Sequence, residues 1–183
     1  MRPKHCVCLA LFSTLLVSFN VGCAGTAGSA RPISAVAKPE ILSQYTKISL
    51  ATSVEGEASH MATRDRERIA ALVERKVKER APNRFHTFNA NTTDPETLHV
   101  TIEFTRYDDG NTVARLVQAG LGQIHIAAEV TLEDQSRHTI IGDYDVSKTF
   151  AWGGIYGAVT QIKDVEDGFA DAVVNVLLGE AQK

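Results

Sequence analysis

The chain has 183 residues, 44% of them hydrophobic and 22% charged, with a formal charge of −3 at neutral pH. That length supports one domain with a sizeable core, and the acidic balance argues against nucleic acid as the main partner. Only three cysteines are present, two of them within the first eight residues.

Arg2 and Lys4 precede an apolar run from Val7 to Phe19. A basic start followed by an apolar core of this length reads as a secretory leader, too short to span a bilayer. Asn20-Val21-Gly22-Cys23-Ala24 comes next. Small residues directly before a cysteine make Cys23 the expected lipidation site, with residues 1–22 removed as signal peptide. Asn20 stands where Leu is usual, and ordinary cleavage at Gly22-Cys23-Ala24 is the rival reading. Acylation accounts for the one cysteine left in the mature chain, which has no intramolecular disulfide partner. Loss of Arg2 and Lys4, with no acidic residue removed, takes the formal charge from −3 to −5. Residues 23–44 are rich in Ala, Gly, Ser and Pro without a hydrophobic period. They read as a flexible tether with a reach of roughly 25 Å. Residues 45–183 read as a single domain.

Within that domain, Ile48 and Leu50 mark a first strand between Tyr45 and Ser53. Ile69, Leu72, Val73 and Val77 lie at helical spacing over Arg64–Ala81. Thr63 is the expected N-cap, Glu74 and Lys78 an i,i+4 pair, and Pro82 the stop. The mixed charges on the outer face of this helix read as a solvated surface. Phe85 and Phe88 are expected to pack back from the loop that follows. Leu98, Val100, Ile102 and Phe104 alternate with polar residues, as do Ile124, Ile126, Ala128, Val130 and Leu132, so each stretch reads as a half-buried strand. A third strand runs from Ile140 to Phe150, with a bulge expected at Ile141-Gly142. The Gly-rich stretch Trp152–Gly157 breaks the chain. Val165, Phe169, Ala172, Val173, Val176 and Leu177 mark a last amphipathic helix, with Gly179 as its C-terminal cap. The expected fold is α+β: a four-stranded, mainly antiparallel sheet with two helices packed on one face, in the order β-α-β-β-β-α.

The connector Asp108–Gln123 is too long for a tight hairpin. It opens with Asp-Asp-Gly-Asn turn chemistry and continues through Val113, Ala114, Leu116, Val117, Ala119 and Leu121, with Gly120 and Gly122 near its end. Such an apolar connector reads either as a short helix folded over the sheet edge or as a contact surface for a partner subunit or the membrane. Arg115 within it needs an anion if buried, for which Asp108, Asp109 or a partner's carboxylate would serve. Otherwise it snorkels, with its stem packed and its head in water. The spacing Gly110-Asn111-x-x-x-Arg115-x-x-x-x-Gly120-x-Gly122, followed by an alternating strand ending Leu132-Glu133-Asp134, resembles an uncharacterised family of Gram-negative lipoproteins, the domain of unknown function numbered 4410. The turn after Asp134, here Gln135-Ser136-Arg137, departs from the Thr-Gly type usual in that family. The resemblance implies an envelope lipoprotein with a small α+β domain and carries over no catalytic residue. By resemblance to enteric lipoproteins, Ala24 after the cysteine favours the outer membrane, with the domain facing the periplasm.

No local catalytic or metal signature is present. No two histidines lie two to five residues apart, which removes the usual local zinc spacings. His99 and His125 are placed to share the wet face of adjacent strands. No Gly-x-Ser-x-Gly elbow occurs, and the Gly-rich runs lack Walker or dinucleotide spacing. Glu129 with Glu133, and Asp143 with Asp145, are paired carboxylates of the kind found on any wet sheet face. The sequence therefore leads to a membrane-anchored, non-enzymatic docking or assembly component with no cofactor and no metal. Its partner is a protein or a second copy, through a surface of Gly110, Asn111, Arg115, Gly120, Gly122, Trp152 and Tyr156. The alternative is a periplasmic binder of a small ligand, held between Trp152–Tyr156 and the connector.

Overall fold

The computed structural model describes residues 26–89 and 93–181. The expected leader and Cys23 lie outside the described residues. In chain order the elements are β1 (Ser29–Pro32), α1 (Pro39–Leu42), β2 (Lys47–Val54), α2 (Thr63–Arg80), β3 (Thr87–Phe88) and β4 (Thr97–Asp108). Then follow α3 (Thr112–Val117), β5 (Ile124–Asp134), β6 (Thr139–Phe150), α4 (Gly154–Val159) and α5 (Ile162–Leu178), and a 3-10 turn at Gly56–His60 links β2 to α2. The strands form one sheet in the order β1-β6-β5-β4-β2-β3.

This corrects the expectation of a four-stranded, mainly antiparallel sheet with two helices. Among the described residues the sheet is six-stranded and mixed, and five helices accompany it. One cause is direction. β2 pairs with β4 in parallel, because the intervening α2 carries the chain back over the sheet before β4 begins, as a parallel pair requires. Hydrophobic alternation does not encode strand direction. The other cause is shortness. β3 is two residues beside Lys47 and Ile48, and β1 is four residues beside Tyr144–Ser147. β1 and α1 also fall within the stretch expected as tether, where Ala37 and Leu42 are buried in the core.

α2 and α5 lie side by side over one face of the sheet. Beneath them pack Leu98, Val100, Ile102 and Phe104 of β4, the buried alternate residues of β5, and Tyr144, Val146 and Phe150 of β6. Phe104 and Phe169 meet with ring centroids 5.7 Å apart. Ile69, Val73 and Val77 of α2 are buried as their spacing requires, and Glu74–Lys78 forms at 2.6 Å. The N-cap position of α2 is Ala62, without a side-chain cap; Thr63 begins the helix instead, and its hydroxyl accepts from Arg66. At the end of α5, Gly179 takes φ +74°, and the Glu180 N–H donates to Asn175 O at 2.7 Å, closing the helix as its sequence predicts.

Two bulges set which residues face the helices. Ile141 has no partner between Leu132↔Gly142 and Glu133↔Ile140, where the alternation in the sequence blurs. Thr105 is likewise skipped between Phe104↔Ala128 and Arg106↔Ala127. One extra residue reverses the alternation, so Tyr107 rather than Arg106 turns to the core. There the Tyr107 hydroxyl donates to Glu166 Oε1 at 2.7 Å. Arg68 grips the same carboxylate from α2, through Nε at 2.8 Å and Nη2 at 2.5 Å, and reaches Asp65 at 2.7 Å. Lys76 adds bonds of 3.0 Å to Asp167 and Asp171. Polar contacts as well as apolar ones therefore fix α2 against α5.

Candidate functional site

The register of the three longest strands brings two distant stretches together. Asp108 lies beside His125, and Ile124 lies beside Phe150. The β4–β5 connector and the segment after β6 therefore leave the sheet at the same end. The connector turns tightly there. Gly110 and Gly122 take φ of +65° and +61°, and a Cβ on Gly122 would sit 2.2 Å from Asn111 O. Only glycine satisfies both conditions. The Gly110 N–H, helped by Arg106, holds the Asp108 carboxyl below its ordinary range. Asn111 caps α3, its side chain accepting from the Ala114 N–H at 2.9 Å. The Gly120 N–H donates to Ala151 O at 2.8 Å, joining the connector to the segment after β6. Trp152 and Tyr156 meet edge to face at 6.0 Å.

Arg115 binds this end into one piece. It is 1% exposed, and among the described residues its partners are backbone carbonyls and a hydroxyl rather than a carboxylate. Nε donates to Gly157 O at 2.8 Å, and Nη1 donates to Asp109 O and Gly122 O at 2.7 Å each. Nη2 donates to Thr112 Oγ1 and Thr160 O at 3.3 Å each. A guanidinium has five N–H donors, and all five are used. Gly157 and Thr160 supply carbonyls from the C-terminal end of α4, where the helix dipole is negative. This corrects both expectations for Arg115. It is neither an ion pair nor a snorkel, because carbonyls from both segments converge where a carboxylate would otherwise be needed.

Outside this cage the end is apolar. Val113, Leu116, Val117 and Leu121 of the connector are exposed, together with Ile155, Tyr156 and Val159 of α4. Val117 and Ile155 are 78% and 79% exposed. From Asn111 to Gln123 the only charged residue is the buried Arg115, and from Ala151 to Gln161 there is none. Large apolar side chains gathered and exposed at one end in this way are the mark of an interaction surface. All seven residues singled out by the sequence lie at this end. Ile155, Val159 and the Thr160 carbonyl are not among them, and the signal for these three is the lack of charge from Ala151 to Gln161. Of the stretch Trp152–Gly157 read as a chain break, the part from Gly154 onward belongs to α4. The connector and the segment after β6 touch at Gly153, where a Cβ would lie 2.4 Å from Ala119 N.

His99 pairs with Glu133 and His125 with Asp108, so the two histidines sit at opposite ends of the β4–β5 pair rather than together. Both oxygens of Glu166 are taken by Arg68, and one also by Tyr107, so this buried carboxylate has a structural tie on each side. The face of the sheet away from the helices carries Glu103, Glu129 and Asp145 in one cross-strand row. Burial, then the charges of Asp143 and Glu103, push the Glu129 carboxyl above its ordinary range. Among the described residues no group of three or more His, Cys, Asp or Glu is placed to hold a metal ion. None of the described helices is long and apolar enough to cross a membrane.

Comparison with known proteins supplies a family and a fold. The family model described as a domain of unknown function, DUF4410, matches residues 33–154. Two solved structures of PelC from Paraburkholderia phytofirmans, both dodecamers, are similar. The first, a single-substitution variant, aligns with TM-score 0.55 at 11% identity over 85% of this chain and 99% of that one. The second aligns with TM-score 0.52 at 16% identity over 82% and 98%. At such identities the likeness concerns the fold alone. No curated protein matches the chain.

Proposed function

The chain belongs to the DUF4410 family, and from that premise we propose that it is an envelope lipoprotein acting by docking and assembly rather than by catalysis. Cys23 carries the lipid, and the domain works on the periplasmic face of the outer membrane. The observation that carries this reading is the uncharged apolar end built by α3 and α4. A domain working alone in water gains nothing from seven exposed apolar side chains locked in place by a buried arginine. A component that docks needs such a surface, held rigid so that little order is lost on docking. The likeness to PelC, which forms dodecamers, supports self-association of this chain. No cofactor or metal enters the proposal.

Sedimentation of the lipidated protein, extracted from membranes in mild detergent, tests it. A discrete species of several copies at micromolar concentration is expected. A monomer at every concentration, with no other protein bound, would remove the assembly reading.

A further inference from the structure

Thr26 is the first described residue, and its position tells where the chain enters the domain. Lys148 Nζ bonds Thr26 O and Oγ1 at 2.6 and 2.7 Å, and the Gly28 N–H donates to Gly168 O at 2.7 Å. Ser29 lies beside Ser147, antiparallel. Followed backwards from Ser29, the chain thus runs along β6 towards Phe150, the end of the strand from which α4 departs. Cys23 is three residues from Thr26, at most about 11 Å of extended chain. Thr26 and the uncharged apolar end are therefore on the same side of the domain, and only that short length of chain separates Thr26 from Cys23.

We infer that this end is a bilayer-facing surface, seated in the lipid interface of the leaflet that holds the acyl chains of Cys23. The inference rests on the lipoprotein reading and names the partner of the α3–α4 end. Three features fit a lipid surface. Residues 111–123 and 151–161 carry no exposed charge to desolvate, and Asp108 and Asp109 stand at their rim. Its aromatics are Trp152 and Tyr156, residue types that favour the boundary between headgroups and acyl chains. Irregular backbone at membrane depth must find its hydrogen bonds within the protein, and Arg115 supplies them to Asp109, Gly122, Gly157 and Thr160. Helices of one to two turns reach only the interfacial layer, so the domain rests on the membrane and does not span it.

Trp152 is the only tryptophan of the chain, so its emission reports on this end. The lipidated protein is reconstituted into phosphatidylcholine vesicles with plain or dibrominated acyl chains. Emission in brominated vesicles is expected to fall to half or less of that in plain vesicles. Val117→Asp/Ile155→Asp, still lipidated and vesicle-bound, is expected to lose most of that quenching. A Trp152→Phe/Ile155→Trp variant moves the reporter to the outermost position and is expected to be quenched at least as strongly. Equal emission in both vesicle types for wild type and the moved reporter would overturn the inference, as would a bromine-insensitive emission that shifts only with protein concentration. Maleimide labelling of wild type separates the two readings. A blocked Cys23 thiol without quenching sinks this inference alone, whereas a reactive thiol sinks the lipoprotein reading beneath it.

Discussion

Replacing Arg115 tests how the apolar end is held together. Arg115→Met keeps much of the packed stem and removes all five donors. The carbonyls of Asp109, Gly122, Gly157 and Thr160 then lose a charged partner at once. A buried polar group left unpaired costs about 1–3 kcal/mol. Asp109 and Gly122 lie at a partly open site and regain water, so the total settles near 3–4 kcal/mol. Arg115→Lys keeps the charge but offers three donors on a point-like head. At least two of the five bonds are lost, at a cost of about 2 kcal/mol. Urea unfolding is to be followed by Trp152 emission, which reports on this end, and by far-ultraviolet circular dichroism, which reports on the sheet and the long helices. For Arg115→Met the emission transition is expected to move to lower urea and to precede the dichroism transition. If both transitions stay coincident and within 0.5 kcal/mol of wild type, the cage does not hold α3 to α4.

Three further substitutions probe the rest of the fold. Glu166→Gln breaks the buried pair with Arg68, and a loss of about 3–5 kcal/mol is expected in chemical denaturation; a loss below 1 kcal/mol would show that the pair adds little. Glu129→Gln removes one carboxylate from the Glu103–Glu129–Asp145 row and should stabilise the protein at pH 7 by a few tenths of a kcal/mol, given the exposure of the site. Because its carboxyl is raised in the folded state, wild-type stability should be greater below the unfolded carboxylate range and fall as pH rises through the folded value. A thermal-shift series from pH 4 to 8 in which wild type and variant run parallel would contradict this. Asp134 behaves oppositely. Burial alone would raise its carboxyl, but hydrogen bonds from Ser136, Tyr45 and Arg137 hold it below its ordinary range. Its contribution should be present above about pH 4 and be lost as pH falls through the folded value. Asp134→Asn should therefore lower the melting temperature at pH 7 but much less near pH 2; an equal deficit at both would count against the account.

The central strands are legible because each buries one face, and period two survives in Leu98–Phe104 and Ile124–Leu132. The Ile141 bulge is visible for the same reason, as a break in that period. α5 shows through both its stripe and its terminal Gly179. What the sequence hides is non-local. β1, four residues reading Ser-Ala-Arg-Pro, exists only because β6 offers it an edge, so its composition reads as tether. α3 and α4 are six residues each, too short to establish a helical period, and the one charge they carry, Arg115, is buried and so marks no outer face. The parallel β2–β4 pairing depends on the path of α2 rather than on any pattern within β2. Arg115 draws attention as a lone charge among apolar neighbours. Two of its partners are carbonyls 42 and 45 residues away, and no side-chain pattern encodes a carbonyl.

Hydrogen–deuterium exchange of the lipidated protein tests the central claim, that the end built by α3 and α4 is covered where the protein works. Backbone amides of residues 111–123 and 151–161 are to be compared in native membranes and in dilute detergent-free solution, using a Cys23→Ser form for the latter. Slower exchange in both segments within the membrane, with the β5–β6 turn at residues 135–138 unchanged, is the predicted result. Equal exchange of all three segments in the two settings would contradict the account.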